Sequence, residues 1–152
     1  MSRFFRSPWP IATLLLLLGG AWLLWHGMQN KVGRDVTLAK CPIAERLPPA
    51  ASHVSYVVGS PATICEFDVP ESDFLSWAKT NGWNVEPITP DSQGEPWSIN
   101  RFGHGSGDSR DPQKIEIERG YRFEWKSTVD EQRLVIAYDL DHRRGYYYRS
   151  FR

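Results

Sequence analysis

KIEIERG (114–120), YRFEWKS (121–127), RLVIAYD (133–139) and YYYRSFR (146–152) are four closely spaced runs near the C-terminal end. In the first two, side-chain character changes with every residue. Ile115 and Ile117 alternate with Glu116 and Glu118, and Tyr121, Phe123 and Trp125 alternate with Arg122, Glu124 and Lys126. A period of two places successive side chains on opposite faces of a strand. Gly120, residues 128–132 and the turn 140–145 separate the runs at hairpin spacing. The pattern predicts an antiparallel meander of four strands with one greasy face.

Such a face needs a cover, and residues 70–81, PESDFLSWAKTN, supply one. Pro70 suits a helix start, Glu71 and Asp73 favour its positive end, and Asn81 with Gly82 stops it. Phe74, Leu75, Trp77 and Ala78 form a stripe at helical spacing, read as core packing. Upstream, VSYVV (54–58) and ATICEFDV (62–69) flank the turn residues Gly59, Ser60 and Pro61, giving a hairpin. In its second strand Thr63, Cys65 and Phe67 share one face, Ile64 and Glu66 the other. Trp83, Val85 and Ile88 mark a short strand, and residues 89–113 form a long Gly-, Pro- and Ser-rich loop containing a brief strand, PWSINRF (96–102). The fold class expected is α+β: an N-terminal transmembrane helix, then a small two-layer domain in which one α-helix covers an antiparallel meander.

The transmembrane expectation rests on residues 11–28, IATLLLLLGGAWLLWHGM, which run from Ile11 to Met28 without a charge. At about 1.5 Å of rise per residue they reach about 27 Å, enough for a thin bilayer. Trp9, Trp22 and Trp25 lie near the ends, where indoles prefer the headgroup boundary. A cleavable signal peptide is the main rival, since Gly19, Gly20 and Ala21 offer small residues; the continuation through Trp25 favours an uncleaved signal anchor. A lipid-attachment box at Cys41 is ruled down by Lys40 and by its distance from the apolar run. Arg3 and Arg6 before the run lean towards a cytoplasmic N-terminus and an extracytoplasmic domain, periplasmic or at the cell surface. Gly19 and Gly20 leave a smooth mid-membrane patch where a partner helix can approach.

The chain therefore divides into a tail and anchor (1–29), a Pro-containing stalk with Pro42, Pro48 and Pro49 (30–51), and one α+β domain (52–152). Lys plus Arg and Asp plus Glu are equal at 18 each, so no global field draws in nucleic acid or an anionic substrate. Basic residues gather at the end, where Arg143, Arg144, Arg149 and Arg152 mix with tyrosines; they are the candidate contacts for an anionic surface. With export, Cys41 and Cys65 are expected to pair as a disulfide.

Catalytic signals are weak. GHGSGDSRD (103–111) groups His104 with serines and acids, yet a phosphate-cradling loop needs a following helix and here a strand follows. A Ser-His-Asp set needs its members on separate rigid elements, whereas these crowd one segment. Asp139, Asp141 and His142 are too few for a metal, and Asp141 reads instead as a turn former. No catalytic, cofactor or metal residue is assigned. The functional expectation is a single-pass membrane-anchored, non-catalytic envelope protein, an accessory subunit or binding module contacting the lipid bilayer and another envelope component. The alternative is a membrane-anchored hydrolase using the loop 103–111.

Overall fold

A computed structural model of the chain describes residues 31–59, 61–89, 96–102 and 112–150, with Leu18 alone before them. Its main sheet has seven antiparallel strands in the order β1-β2-β3-β9-β8-β7-β4. The strands are β1 (Lys31–Val36), β2 (Ser52–Val58), β3 (Ala62–Asp68), β4 (Glu86–Pro87), β7 (Gly120–Lys126), β8 (Arg133–Asp139) and β9 (Arg144–Ser150). Two more strands, β5 (Trp97–Phe102) and β6 (Pro112–Ile117), pair with each other as a separate antiparallel ribbon. One α-helix, α1 (Glu71–Thr80), follows β3. The class is α+β, as the alternation and the helical stripe predict.

α1 lies on one face because its buried residues, Phe74, Trp77 and Ala78, fall three and four apart on one side. They meet Val54, Tyr56, Cys65, Phe67, Ile136, Tyr138 and Tyr147 in one core. Aromatic rings carry much of that contact: Phe74 stacks on Tyr138 at 4.8 Å, and Trp77 meets Trp83 edge-on at 5.0 Å. Pairs of this kind contribute about 0.5–1.5 kcal/mol each beyond the area they bury.

The four-strand meander is corrected to three. β7, β8 and β9 are neighbours in the main sheet, but β6, the KIEI run, pairs with the WSINRF strand. The resulting ribbon packs Ile99 and Ile117 against Val135, Ala137 and Tyr146, on the face opposite α1. β8 holds Ile136 and Tyr138 against α1 while its alternate residues Val135 and Ala137 meet the ribbon. A strand with both faces buried reads as a continuous apolar run, and LVIA (134–137) is one. The domain therefore has a second covering layer, which two-layer reasoning omits.

The stalk is corrected as well. Residues 31–36 pair along β2 as an edge strand, and 3-10 turns at Leu38–Lys40 and Ala44–Arg46 lead back to it. Cys41, Ile43, Leu47 and Ala51 are buried in the helix-side core, and Pro48 is among the fully buried side chains. Of the prolines that suggest a spacer, Pro48 fills the core, while Pro42 and Pro49 are exposed. β1 escapes notice in the sequence because an edge strand is only half buried, and KVGRDV carries no apolar alternation.

Because this segment is core, truncating it destabilises the domain. Leu47→Ala should cost about 2–5 kcal/mol in a urea titration, whereas a residue in a spacer would change stability by less than about 0.5 kcal/mol.

Candidate functional site

Strand register brings the chain's polar residues to one end of the sheet. Ser52 lies opposite Asp68, Asp68 opposite Arg144, Arg144 opposite Asp139, and Asp139 opposite Gly120. α1 starts at this same end, directly after β3. The β8–β9 turn, carrying Leu140 to Arg143, closes over it.

Charge on the ribbon side is unusually deep. Glu66 and Asp139 are 1% and 3% exposed, and a carboxylate held out of water requires a partner. Arg144 supplies one: its Nη1 donates to Asp68 Oδ1 at 3.0 Å, and its Nε and Nη2 both lie 3.3 Å from Glu66 Oε2. Asp139 is satisfied locally, accepting the backbone N–H groups of Asp141 and His142 at 2.9 and 3.1 Å on Oδ1. Its other oxygen contacts His142 Nδ1 at 2.7 Å. The hydrogen bond to Asp139 raises the exposed His142 imidazole above its ordinary pKa, and the charge of Asp139 adds to this. Asp139, not Asp141, is thus the turn former; Asp141 pairs with Arg119, which holds its carboxyl below the usual carboxylate range.

Asp68 sits between Arg144 and His53, whose Nδ1 approaches its second oxygen at 3.3 Å. His53 reaches that position through an irregularity in β2 between Ser52 and Ser55, and its φ is +47°. Arg143, in the turn, has φ +53°. Left-handed backbone at non-glycine residues carries a conformational cost; Asp35 and Glu131, away from the cleft, share it.

Two depressions flank this knot, both lined by Asp68 and His142. The larger, about 800 Å³, lies on the α1 side between Ser52, the β3–α1 junction at Val69 and Pro70, and the turn residues Leu140 and Arg143. The smaller, about 450 Å³, lies on the ribbon side above Glu66, Asp139 and Arg144. The floor of the larger one is fixed: the Tyr138 hydroxyl donates to the Val69 carbonyl at 3.0 Å, and burial raises its pKa. The Tyr121 hydroxyl donates to Glu71 Oε1 at 2.8 Å, tying the first turn of α1 to β7.

The arginines do not form one surface. Arg143 and Arg144 lie at the cleft end, whereas Arg149 lies five residues further along β9, about 17 Å away. Arg144 is also occupied by Glu66 and Asp68 rather than by the β6 and β7 acids that the sequence offers. Of those acids, Glu124 takes Arg133 and Glu116 takes Lys114. Arg152, Gly19, Gly20 and the loop 103–111 with His104 lie outside the described residues. Among the described residues no group of His, Cys, Asp and Glu is arranged to hold a metal ion.

Cys41 and Cys65 are brought together, and the sequence anticipates that proximity. Both are buried free thiols here, not a disulfide, and their side chains hydrogen-bond to each other. Burial above all, then the neighbouring Cys41, raises the Cys65 thiol far above its ordinary pKa. Missed by sequence reasoning was the knot of Glu66, Asp68, Asp139 and Arg144. A single signal points to it: acids at alternate positions on a strand, Glu66 and Asp68, opposed to Cys65 and Phe67 on the other face.

The chain matches no protein-family description, no curated protein and no solved structure. Its class is therefore set by its own architecture: a small α+β domain dominated by an antiparallel sheet, with a polar cleft at one end.

The raised pKa of His142 makes part of the stability pH-dependent. A raised folded-state pKa stabilises fully below the ordinary imidazole value, and that contribution is lost as pH climbs through the raised one. In an NMR titration the His142 midpoint should lie above the ordinary imidazole value, and Asp139→Asn should remove the displacement. Arg144→Met should destabilise by about 3 kcal/mol by leaving Glu66 without its guanidinium. Adding Glu66→Gln should recover a large part of that loss in the same denaturation assay.

Proposed function

We propose that the chain is a single-pass membrane protein whose extracytoplasmic domain is a non-catalytic binding module, an accessory subunit of an envelope assembly. The observation that carries this reading is the charge-free run of 18 residues, 11–28, which ends three positions before the first strand. Among the described residues no helix is long and apolar enough to cross a membrane; apart from Leu18, the run lies outside them. Anchoring by residues 11–28, with the N-terminus cytoplasmic, places the domain on the exported side.

The character of the cleft supports binding over chemistry. Glu66, Asp68 and Arg144 neutralise one another, and Asp139 is occupied by a turn and by His142. General acid–base work needs a group poised to exchange a proton with substrate. The larger depression is of the size that receives a compact ligand or a partner's side chains, and Ser52, Glu71, Ser72 and Arg143 offer it hydrogen bonds of both kinds.

Export also bears on the thiols. An oxidising compartment would join Cys41 and Cys65, two thiols giving up two protons and two electrons to a disulfide-carrying oxidant that leaves as a dithiol. The bond would pin the segment after β1 to β3 and restrict the unfolded chain by about 3.5 kcal/mol.

Membrane anchoring is tested by alkaline carbonate extraction together with a C-terminal phosphatase fusion. The chain should stay in the pellet and the fusion should be active; extraction into the wash, or a silent fusion with a bright cytoplasmic reporter, would overturn the assignment. A photo-crosslinking amino acid at Ser72 should capture one reproducible envelope partner in cells. An adduct pattern identical to that of a probe at exposed Lys79, distant from the cleft, would count against the cleft as the docking site.

A further inference from the structure

The strand register also fixes what lies at the end of the sheet opposite the cleft. Lys31 is opposite Val58, Ala62 is opposite Ser150, Ser150 is opposite Arg133, and Arg133 is opposite Lys126. The β7–β8 turn, residues 127–132, therefore projects from the same end as the start of β1. That start is three residues beyond Met28, a reach of at most about 11 Å even when fully extended.

Exposed apolar side chains are distributed to match. Among the described residues, the large hydrophobics left exposed are Leu18, Val32, Trp125 and Val129. Leu18 belongs to the apolar run, and the other three all lie at the Lys31 end. Val32 and Trp125 are each one residue from the end of their ladders, and Val129, 92% exposed, is in the projecting turn. None of the three is at the cleft end.

We propose that this end of the sheet rests on the lipid bilayer, with Val129 and Trp125 seated at the headgroup boundary and the cleft held about 20 Å above it. The inference rests on the anchor assigned above and adds an orientation to it. β1 and β7 are five strand spacings apart, about 24 Å, so contact at Val32 and at Val129 gives two well-separated footings. An indole at the boundary is in its preferred environment. Charge makes little difference at the β7–β8 turn: Arg133 is paired with Glu124, and Asp130 and Glu131 follow Lys126 closely in the chain, so contact there is apolar and independent of anionic lipid. The cleft end, with His53, Asp68, His142 and Arg143, faces away from the membrane, where an envelope partner can reach it.

The test uses the full chain in phosphatidylcholine nanodiscs, with a nitroxide at Val129→Cys or, as the cleft control, at Ser72→Cys. Cys41 and Cys65 are buried, and replacing both with Ser gives a background without competing thiols. Collision with a water-soluble nickel chelate should be several-fold lower at 129 than at 72, and collision with membrane-dissolved oxygen higher. Equal nickel access at the two sites, in chain that resists carbonate extraction, would overturn the seated orientation and leave the anchor standing. Release of the chain by carbonate would overturn both. Adding anionic phosphatidylglycerol should leave the ratio unchanged, and a protection seen only with that lipid would replace apolar seating with charge attraction.

Discussion

Burial of the central strands on both faces is the constraint on which the rest of this structure depends. β8 presents Ile136 and Tyr138 to one side and Val135 and Ala137 to the other, and neither side can be left in water. The sheet therefore needs two covers. α1 supplies the first through Phe74 and Trp77, and the β5–β6 ribbon supplies the second through Ile99 and Ile117. β3 follows the same rule in its apolar half and breaks it at its end, where Glu66 is as deeply buried as its hydrophobic neighbours.

That break creates the cleft. A carboxylate of such low exposure is tolerable only with a cation held in place, and the register sets Arg144 across from Asp68 and Asp139 at the one point where it can serve. His53 and Arg143, both with left-handed backbone, lie at the same rim. Charge and the start of α1 coincide because both arise where β3 ends and the β8–β9 turn returns. The opposite end of the sheet has no such buried charge, and it carries the exposed apolar side chains Val32, Trp125 and Val129 among its charged ones.

The segment after the apolar run changes meaning once it is seen in place. A stalk would be separate from the domain; residues 31–36 instead form its edge strand, paired along β2. Every strand end on that side of the sheet is then fixed relative to Lys31. Cys41 lies in the same returning segment, against Cys65 on β3, so the thiol pair sits at the junction between the N-terminal edge and the sheet centre.

By itself the sequence determined the elements whose signals are local. The period of two in β7, the stripe of Phe74, Trp77 and Ala78 in α1, and the β2–β3 hairpin with Cys65 on the face of Phe67 all depend on neighbours within a few residues. Tertiary structure alone decided which strand the KIEI run would join, because Ile115 and Ile117 alternate equally well against β5 or β7. It decided that residues 31–51 belong to the domain and send Cys41, Ile43, Leu47 and Pro48 into its core, because an edge strand and short 3-10 turns carry no periodicity of their own. The cleft was equally hidden: Glu66, Asp139 and Arg144 are separated by up to 78 positions along the chain. Only the strand register sets the buried acids beside the guanidinium that neutralises them.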